Sequence, residues 1–422
     1  MKRILIISEL FYPTNCIGAL RPTKICKFLI DKGYNIDVIT EYPSAGIYNS
    51  KNCKVYSLKP ASPNIQTDNQ AVRHVNLSGE FWDQLRYFER SIKSYCAEKK
   101  YSKKAIALFE KGILNADDYD ACFTTFGPIS SVLIGLRLKR KYHIKNWICD
   151  FRDPIVVKRS SIFIRPFHRY LQNTACRYAD KIVAVSNGYV HRICGNKYLD
   201  KSYMIPNGYD ISDADTNYQK RKNSKLTLTY VGALYEGKRD ITPVFKVISD
   251  LCLSGEFDKS NIEFVYAGSD YAALVTQAKK YDMEQILKNC GKLSRNNCLQ
   301  LQYDSDILIL STWNERGEEG VFPGKFLEYM LIGRPIISLT CGKIPNGEVT
   351  AVMREGNFGA AYESANDKED FEALKRYIKR SYDEWLNTGN ITFKPIQAVL
   401  DRYNYDNIME RLEEIICGSG TR

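Results

Sequence analysis

The residues best suited to chemistry lie in one stretch, ERGEEGVFPGKFLEYMLIGRPII, from Glu315 to Ile337. Gly324, Lys325 and Glu328 are the centre of it. If a helix starts at this glycine, its first amides lack intrahelical partners and carry partial positive charge, which suits a phosphate. Gly324 lets a ligand approach the backbone closely. Lys325 adds a full cation at the same end. Glu328 lies three residues on, one turn along the same face. A carboxylate there can accept two hydrogen bonds from a vicinal diol such as a ribose. A diphosphate and then a ribose, one helical turn apart, describe a nucleoside diphosphate. The competing reading is a surface loop followed by a helix with an ordinary Lys–Glu pair, and the stretch alone does not choose between them.

The flanking residues state which elements must position this group. Gly317, Gly320, Pro323 and Gly324 break structure ahead of the helix. Lys325 to Ile332 are helix formers with apolar residues on one side; Gly333 and then Pro335 end the helix. Ile336-Ile337 starts a buried strand. Upstream, Asp306 to Leu310 (DILIL) is another strand.

The whole chain repeats this alternation. RILIIS (3–8), a loop to Gly18, a helical run at 20–32 and NIDVIT (35–40) form a βαβ unit, which implies a right-handed parallel crossover. Further strands are expected at 120–126, 147–151, 181–186 and 203–205, with a helix at 129–138. Asp150 and Asp153 flank Arg152 at a strand's carboxyl end, where open α/β sheets place their sites; structural ion pairing is the competing reading. Asp210 to Lys225 is polar without apolar periodicity, a linker candidate. LTLTYV (226–231), followed by Gly232, restarts the βα pattern. It continues through a helix at 242–253, a strand at 262–267 and a helix near 295–303. Helices at 370–385 and 403–416 close the chain, the last with apolar positions at 408, 409, 412, 415 and 416. The expected organisation is a first domain at 1–208, a linker at 209–225, a second domain at 226–400 and a returning helix at 401–422.

Composition narrows the function. The 422 residues include 44% hydrophobic and 26% charged residues, which is globular, and no apolar run approaches the roughly 20 residues that cross a bilayer. The opening MKRILIISELFYP reads as a first strand and not as a signal peptide, so a cytoplasmic location is expected. Thirteen scattered cysteines and four histidines show no metal-ligand rhythm, so no metal or disulfide framework is expected. The net charge of +11 suits nucleic acid, an anionic membrane surface or phosphorylated substrates; no nucleic-acid motif is present, which favours the last two. Residues 80–113 are helix-like, basic and aromatic, and with KRSSIFIRPFHRY (158–170) could lie against anionic headgroups. Inward packing of the aromatics is the bland alternative. One Asp-x-Asp, Asp213 and Asp215, falls in the polar linker.

Six segments, in order, resemble the glycosyltransferases of family 4: the opening strand with GYNIDVIT, then DFRDP, ADKIVAVSNG, MIPNGYD, YVGALYEGKRD and GKFLEYMLIGRPII. DFRDP is similar to the form seen in bacterial surface-polysaccharide members. The resemblance spans nearly the whole chain. It implies an α/β GT-B fold of two Rossmann-like domains facing a cleft, and a retaining transfer of sugar from a UDP- or GDP-sugar. The acceptor it implies is a glycan or polyprenyl-diphosphate-linked chain, with no metal or other cofactor. Carried over, Glu328 would bind the ribose, while Gly324 and Lys325 would meet the diphosphate. Lys238 or Arg239 would be the further diphosphate cation, with Gly232 and Leu293 near the nucleotide. Gly18 would let the first domain approach the donor phosphate. Asp150 and Arg152 would face the acceptor, and Asp153 would join Lys325, Lys238 and Arg239 at the reacting centre. One departure stands out: the family often has a second glutamate eight residues before the ribose-binding one, and here that position is Gly320. Glu318 or Glu319 could replace it. The family's usual active-site histidine is not evident; His143 lies before the DFRDP strand. The alternatives are a GT-B epimerase or hydrolase, or a non-catalytic partner in glycan assembly.

Overall fold

The computed structural model describes residues 2–14, 17–43, 48, 50–60, 81–157, 160–213 and 223–418. In chain order the first part comprises β1 (Arg3–Ile7), α1 (Ile17–Asp31), β2 (Asn35–Thr40), β3 (Cys53–Ser57), α2 (Phe81–Glu110), β4 (Ala121–Phe126), α3 (Ser130–Lys141), β5 (Trp147–Phe151), α4 (Arg165–Tyr178), β6 (Lys181–Ala184), α5 (Asn187–Cys194) and β7 (Ser202–Met204). The second comprises β8 (Leu226–Val231), α6 (Thr242–Leu253), β9 (Ile262–Ala267), α7 (Tyr271–Lys279), β10 (Leu287–Asn289), α8 (Arg295–Asp304), β11 (Ile307–Trp313), α9 (Gly324–Ile332), β12 (Ile336–Cys341), α10 (Glu348–Glu355), β13 (Gly359–Glu363), α11 (Asp367–Thr388) and α12 (Gln397–Asp401). A last helix, α13 (Tyr405–Cys417), follows.

Two compact units result. Unit 1 takes Met1–Asn207 together with Tyr405–Arg422, and unit 2 takes Gly208–Asn404. Unit 1 holds a seven-stranded sheet in the order β3-β2-β1-β4-β5-β6-β7, and unit 2 a six-stranded sheet in the order β10-β9-β8-β11-β12-β13. All these pairings are parallel. Parallel sheets must be covered on both faces, which is why their central strands read as continuous apolar runs. β1, β5, β8 and β11 are buried almost throughout. Helix α13 returns to unit 1: Ile408, Met409, Leu412, Ile415 and Ile416 are buried in one cluster with Ile4, Ile6, Ile25 and Phe123.

Helix α1 starts at Ile17, three residues before the expected Leu20, so Gly18 lies in its first turn and not in the preceding loop. The 158–170 segment, read from its charge and aromatics, contains the start of α4; Lys158 and Arg159 lie outside the described residues. The expected linker supplies Tyr209, which bridges Asn404 within unit 2, and residues 214–222 lie outside the described residues. Only the last third of α2 packs inward, with Tyr101 and Phe109 buried; none of its described residues from 82 to 100 is buried, and Trp82 is 69% exposed. No described helix is long and apolar enough to cross a membrane.

Candidate active site

In unit 2 the predicted residues gather at the carboxyl ends of the neighbouring strands β8 and β11. Helix α9 begins at Gly324, behind Pro323 in extended conformation, and no side chain caps its N-terminus. A Cβ added at Gly324 would meet nothing within 4 Å, so space is open at the helix start. The helix ends at Gly333, whose φ of 71° is the left-handed conformation that glycine adopts without strain.

One turn into α9, Glu328 Oε1 accepts two hydrogen bonds, from Lys325 Nζ at 2.6 Å and from Gln302 Nε2 at 2.6 Å. Gln302 comes from α8 and is fully buried; its Oε1 has no hydrogen-bond partner. The carboxylate is thus held in place by side chains from two helices, with its other oxygen left for a ligand. Leu293, half-buried, sits just ahead of Ser294, whose hydroxyl caps α8 through the Asn297 amide.

The loop after β8 brings the other cations. Gly232 has φ 139°, a conformation closed to most side chains, and its carbonyl accepts from Tyr266 Oη at 3.0 Å. Arg239 stacks on Tyr235, with its guanidinium carbon 4.4 Å from the ring centre, and donates to the Ala233 carbonyl at 3.1 Å. Its Nε is buried without a partner. Lys238 lies 5.3 Å from the Trp313 ring centre and donates to Glu318 Oε2 at 2.8 Å. Glu319 turns to its own loop, accepting from the Gly317 amide at 2.8 Å. The buried phenol of Tyr329 donates to the Ile309 carbonyl at 3.2 Å. Desolvation pushes that phenol far up.

In unit 1 the acceptor-side candidates are braces. Asp150 is fully buried and pairs bidentately with Arg21, at 2.9 and 3.1 Å, while Thr125 donates to it at 2.8 Å. Arg21 also donates to the carbonyls of Pro206 and Ile205 at 2.7 and 3.1 Å. Asp150 therefore offers no face to an acceptor; ion pairing holds it. Arg152 donates to three carbonyls: Phe126 at 3.1 Å, Gly127 at 2.9 Å and Gly18 at 2.7 Å. The last has a local cause. Pro22 lies within α1 and has no N–H to offer the carbonyl of Gly18, four residues earlier, so Arg152 supplies the missing donor. A Cβ at Gly18 would come within 2.6 Å of Leu10 Cδ1 and 3.2 Å of Arg152 Nη1, so this glycine is required by packing inside unit 1. Asp153 alone of the trio is exposed. Its carboxyl lies near the Arg152 and Arg192 cations and hydrogen-bonds with Tyr189. His143 precedes β5, at the amino end of that strand.

Among the described residues no group of His, Cys, Asp and Glu is arranged to hold a metal ion, and every described cysteine is a free thiol. The side chain of Asp213 and the whole of Asp215 lie outside the described residues. Arg21, Gln302, Trp313 and Tyr235 are the site-supporting residues that sequence spacing did not point to. Arg21, Gln302 and Trp313 act across tertiary contacts, so no local pattern marks them; Tyr235 stacks on Arg239 only four residues away.

Residues 225–379, within unit 2, match the family model described as glycosyl transferases group 1. No curated protein matches the sequence. The fold is similar over the whole chain to solved structures of low identity. The α,α-trehalose 6-phosphate synthase of Burkholderia multivorans superposes with a TM-score of 0.62 at 11% identity, covering 99% of each chain. A lipopolysaccharide outer core galactosyltransferase, WaaB, gives 0.58 at 14% identity, covering 100% of each. The fold is GT-B. A third GT-B structure, from E. coli and described as trehalose-6-phosphate bound with UDP-2-fluoro glucose, gives 0.60 at 12% identity, covering 100% of each chain.

Proposed function

We propose that the protein is a retaining glycosyltransferase that moves a sugar from a UDP- or GDP-sugar to a glycan or polyprenyl-diphosphate-linked acceptor, in the assembly of a capsule, O-antigen or exopolysaccharide. The observation that carries this reading is Glu328, fixed by Lys325 and Gln302 one turn inside a helix whose N-terminus is open. Glu328 binds the ribose diol. The first amides of α9, Lys325 and either Lys238 or Arg239 receive the diphosphate. As the bond from sugar carbon to phosphate oxygen breaks, these groups stabilise the charge growing on the diphosphate. No divalent metal is required. Retention and the polysaccharide pathway follow from the family resemblance, and the UDP-sugar reading draws support from the UDP-2-fluoro glucose bound in the E. coli structure.

A peripheral attachment to an anionic membrane surface is part of this reading. Its support is a patch on unit 1 where Trp82 (69% exposed), Ile162 (52%), Phe163 (41%) and Tyr170 (65%) lie among exposed Arg86, Arg90 and Arg169. Gln84 Oε1 accepts from the Ile162 amide at 3.1 Å and Phe88 meets Phe163 edge-on at 6.1 Å, so the two segments are contiguous.

Calorimetry with UDP and GDP tests the donor reading. Binding of one diphosphate by the wild type, lost in Glu328→Ala, is expected; equal affinity in both proteins would sink it. Sugar release with and without acceptor separates transfer from hydrolysis or epimerisation.

A further inference from the structure

Lys238 and Arg239 are neighbours in sequence, and both side chains reach the same indole. Lys238 Nζ lies 5.3 Å from the centre of the Trp313 ring and the Arg239 guanidinium carbon 5.8 Å from it. Arg239 also lies over Tyr235 at 4.4 Å, and the two rings are 5.7 Å apart and tilted by 56°. All four residues are half-buried, so the group borders solvent.

The local backbone is bent to bring them together. Tyr235–Gly237 is a 3-10 turn, closed by the Lys238 amide on the Tyr235 carbonyl at 3.1 Å and the Arg239 amide on the Leu234 carbonyl at 3.1 Å. Tyr235 has φ 52° and Gly237 φ 90°. The left-handed region suits a glycine and strains a tyrosine, so the surroundings must hold Tyr235 there. Leu234, fully buried, anchors the turn, and its amide donates to Asp270 Oδ2 at 2.7 Å. Trp313 is fixed independently, as the last residue of β11 in register with Cys341 of β12.

The charges are left only partly answered. Arg239 donates to the Ala233 carbonyl and, at 3.4 Å, to the Tyr230 hydroxyl, and makes no ion pair among the described residues. Among those residues Lys238 pairs with one carboxylate, Glu318. A ring face attracts a cation without neutralising it. Two adjacent cations facing one carboxylate therefore retain charge for an anion that carries more than one.

We propose that Trp313, with Tyr235, is a positioning residue that holds Lys238 and Arg239 side by side, so that they act together on the terminal phosphate of a diphosphate. Each ring acts through the cation it supports. Assigning the diphosphate to a nucleotide rests on the donor reading above; capture of a diphosphate here does not.

The ratio of diphosphate to monophosphate affinity tests this role apart from the fold. It is measured on the full chain by calorimetry with UDP, UMP, GDP and GMP, beside phosphorus NMR with inorganic pyrophosphate. In Trp313→Leu the ratio is expected to fall about tenfold, the scale of removing ring support from two cations, with monophosphate affinity nearly unchanged. Trp313→Phe keeps a ring and is expected to keep most of the ratio. Tyr235→Asn removes the other ring while tolerating the left-handed backbone, and is expected to lower the ratio about threefold. Melting curves check folding; where Trp313→Leu does not fold, Tyr235→Asn carries the test. An unchanged ratio in the folded variant overturns the proposal. So does an equal loss of diphosphate and monophosphate, which marks the indole as mere packing at the end of β11. Pyrophosphate keeps the two readings apart. A wild type that binds pyrophosphate, weakened in Trp313→Leu, but neither UDP nor GDP defeats the donor reading and leaves this one standing. Nucleotide binding that is lost in Glu328→Ala, with a ratio indifferent to Trp313, does the reverse. A wild type that binds none of these anions defeats both.

Discussion

Lys238 donates to Glu318 at 2.8 Å, tying the loop after β8 to the loop after β11. The lysine side chain is 37% exposed and the glutamate 11%, so the pair is too solvated to contribute much to stability. Its position is more telling. In the proposed donor site, an arriving diphosphate would compete with Glu318 for Lys238, and a Glu318 so released could meet the sugar. Lys238→Met is therefore expected to reduce turnover by about 100-fold, the cost of removing one donor to developing charge. Steady-state kinetics with saturating donor measure it; a drop below threefold would move the diphosphate role to Arg239 alone.

Glu328 is the second test. Removing its carboxylate deletes charge-assisted hydrogen bonds worth about 1.5–3 kcal/mol each, so Glu328→Ala is expected to weaken nucleotide diphosphate binding by at least about tenfold. Gln302→Ala removes only the support from α8 and is expected to cost less. Calorimetry ranks the two, and the reverse order would show Glu328 to be a structural residue.

The buried Arg21–Asp150 pair predicts stability and not catalysis. Breaking a buried pair from one side leaves an uncompensated charge and costs about 3–5 kcal/mol. Asp150→Asn should fall near the low end, because an amide still accepts from Arg21, and Arg21→Met near the high end. Urea denaturation measures both. Full stability in Arg21→Met would contradict the geometry.

Glu9 gives a pH dependence with a definite sign. Its folded pKa, about 7, stands above the ordinary value of 4.5. The stability it contributes is fully present below pH 4.5 and is lost as pH rises through about 7. Glu9→Gln keeps the neutral form at all pH values. It should therefore melt above the wild type at pH 8, with the difference shrinking as pH falls towards 4.5. A constant difference across that range would place the titration elsewhere.

Attachment to anionic lipid is measurable by vesicle sedimentation. Trp82→Ala with Phe163→Ala should lower the bound fraction at every ionic strength. Arg86→Gln with Arg90→Gln should lower it mainly at low salt, where each basic residue contributes about 1 kcal/mol. Sedimentation by the wild type that ignores both salt and phosphatidylserine content would count against the patch.

Much of the fold was legible in local pattern. The βα alternation, the strands at 226–231 and 262–267, the stop at Gly333 and the apolar stripe of α13 all follow from neighbours within a few residues, where backbone conformation and helical periodicity are decided. The positions of Lys325 and Glu328 on one helical turn belong to the same category. What lay beyond the sequence was the choice of partners. Asp150 is neutralised by an arginine 129 residues away. Arg152 is drawn to a carbonyl that Pro22 leaves without a donor. Gln302 fixes Glu328 from another helix, and Glu318, not Glu319, meets Lys238. Spacing along the chain specifies which residues share a turn of helix or a face of a strand. Which charged group is buried against which is decided only when the sheet brings distant strand ends together and desolvation forces each to find a partner.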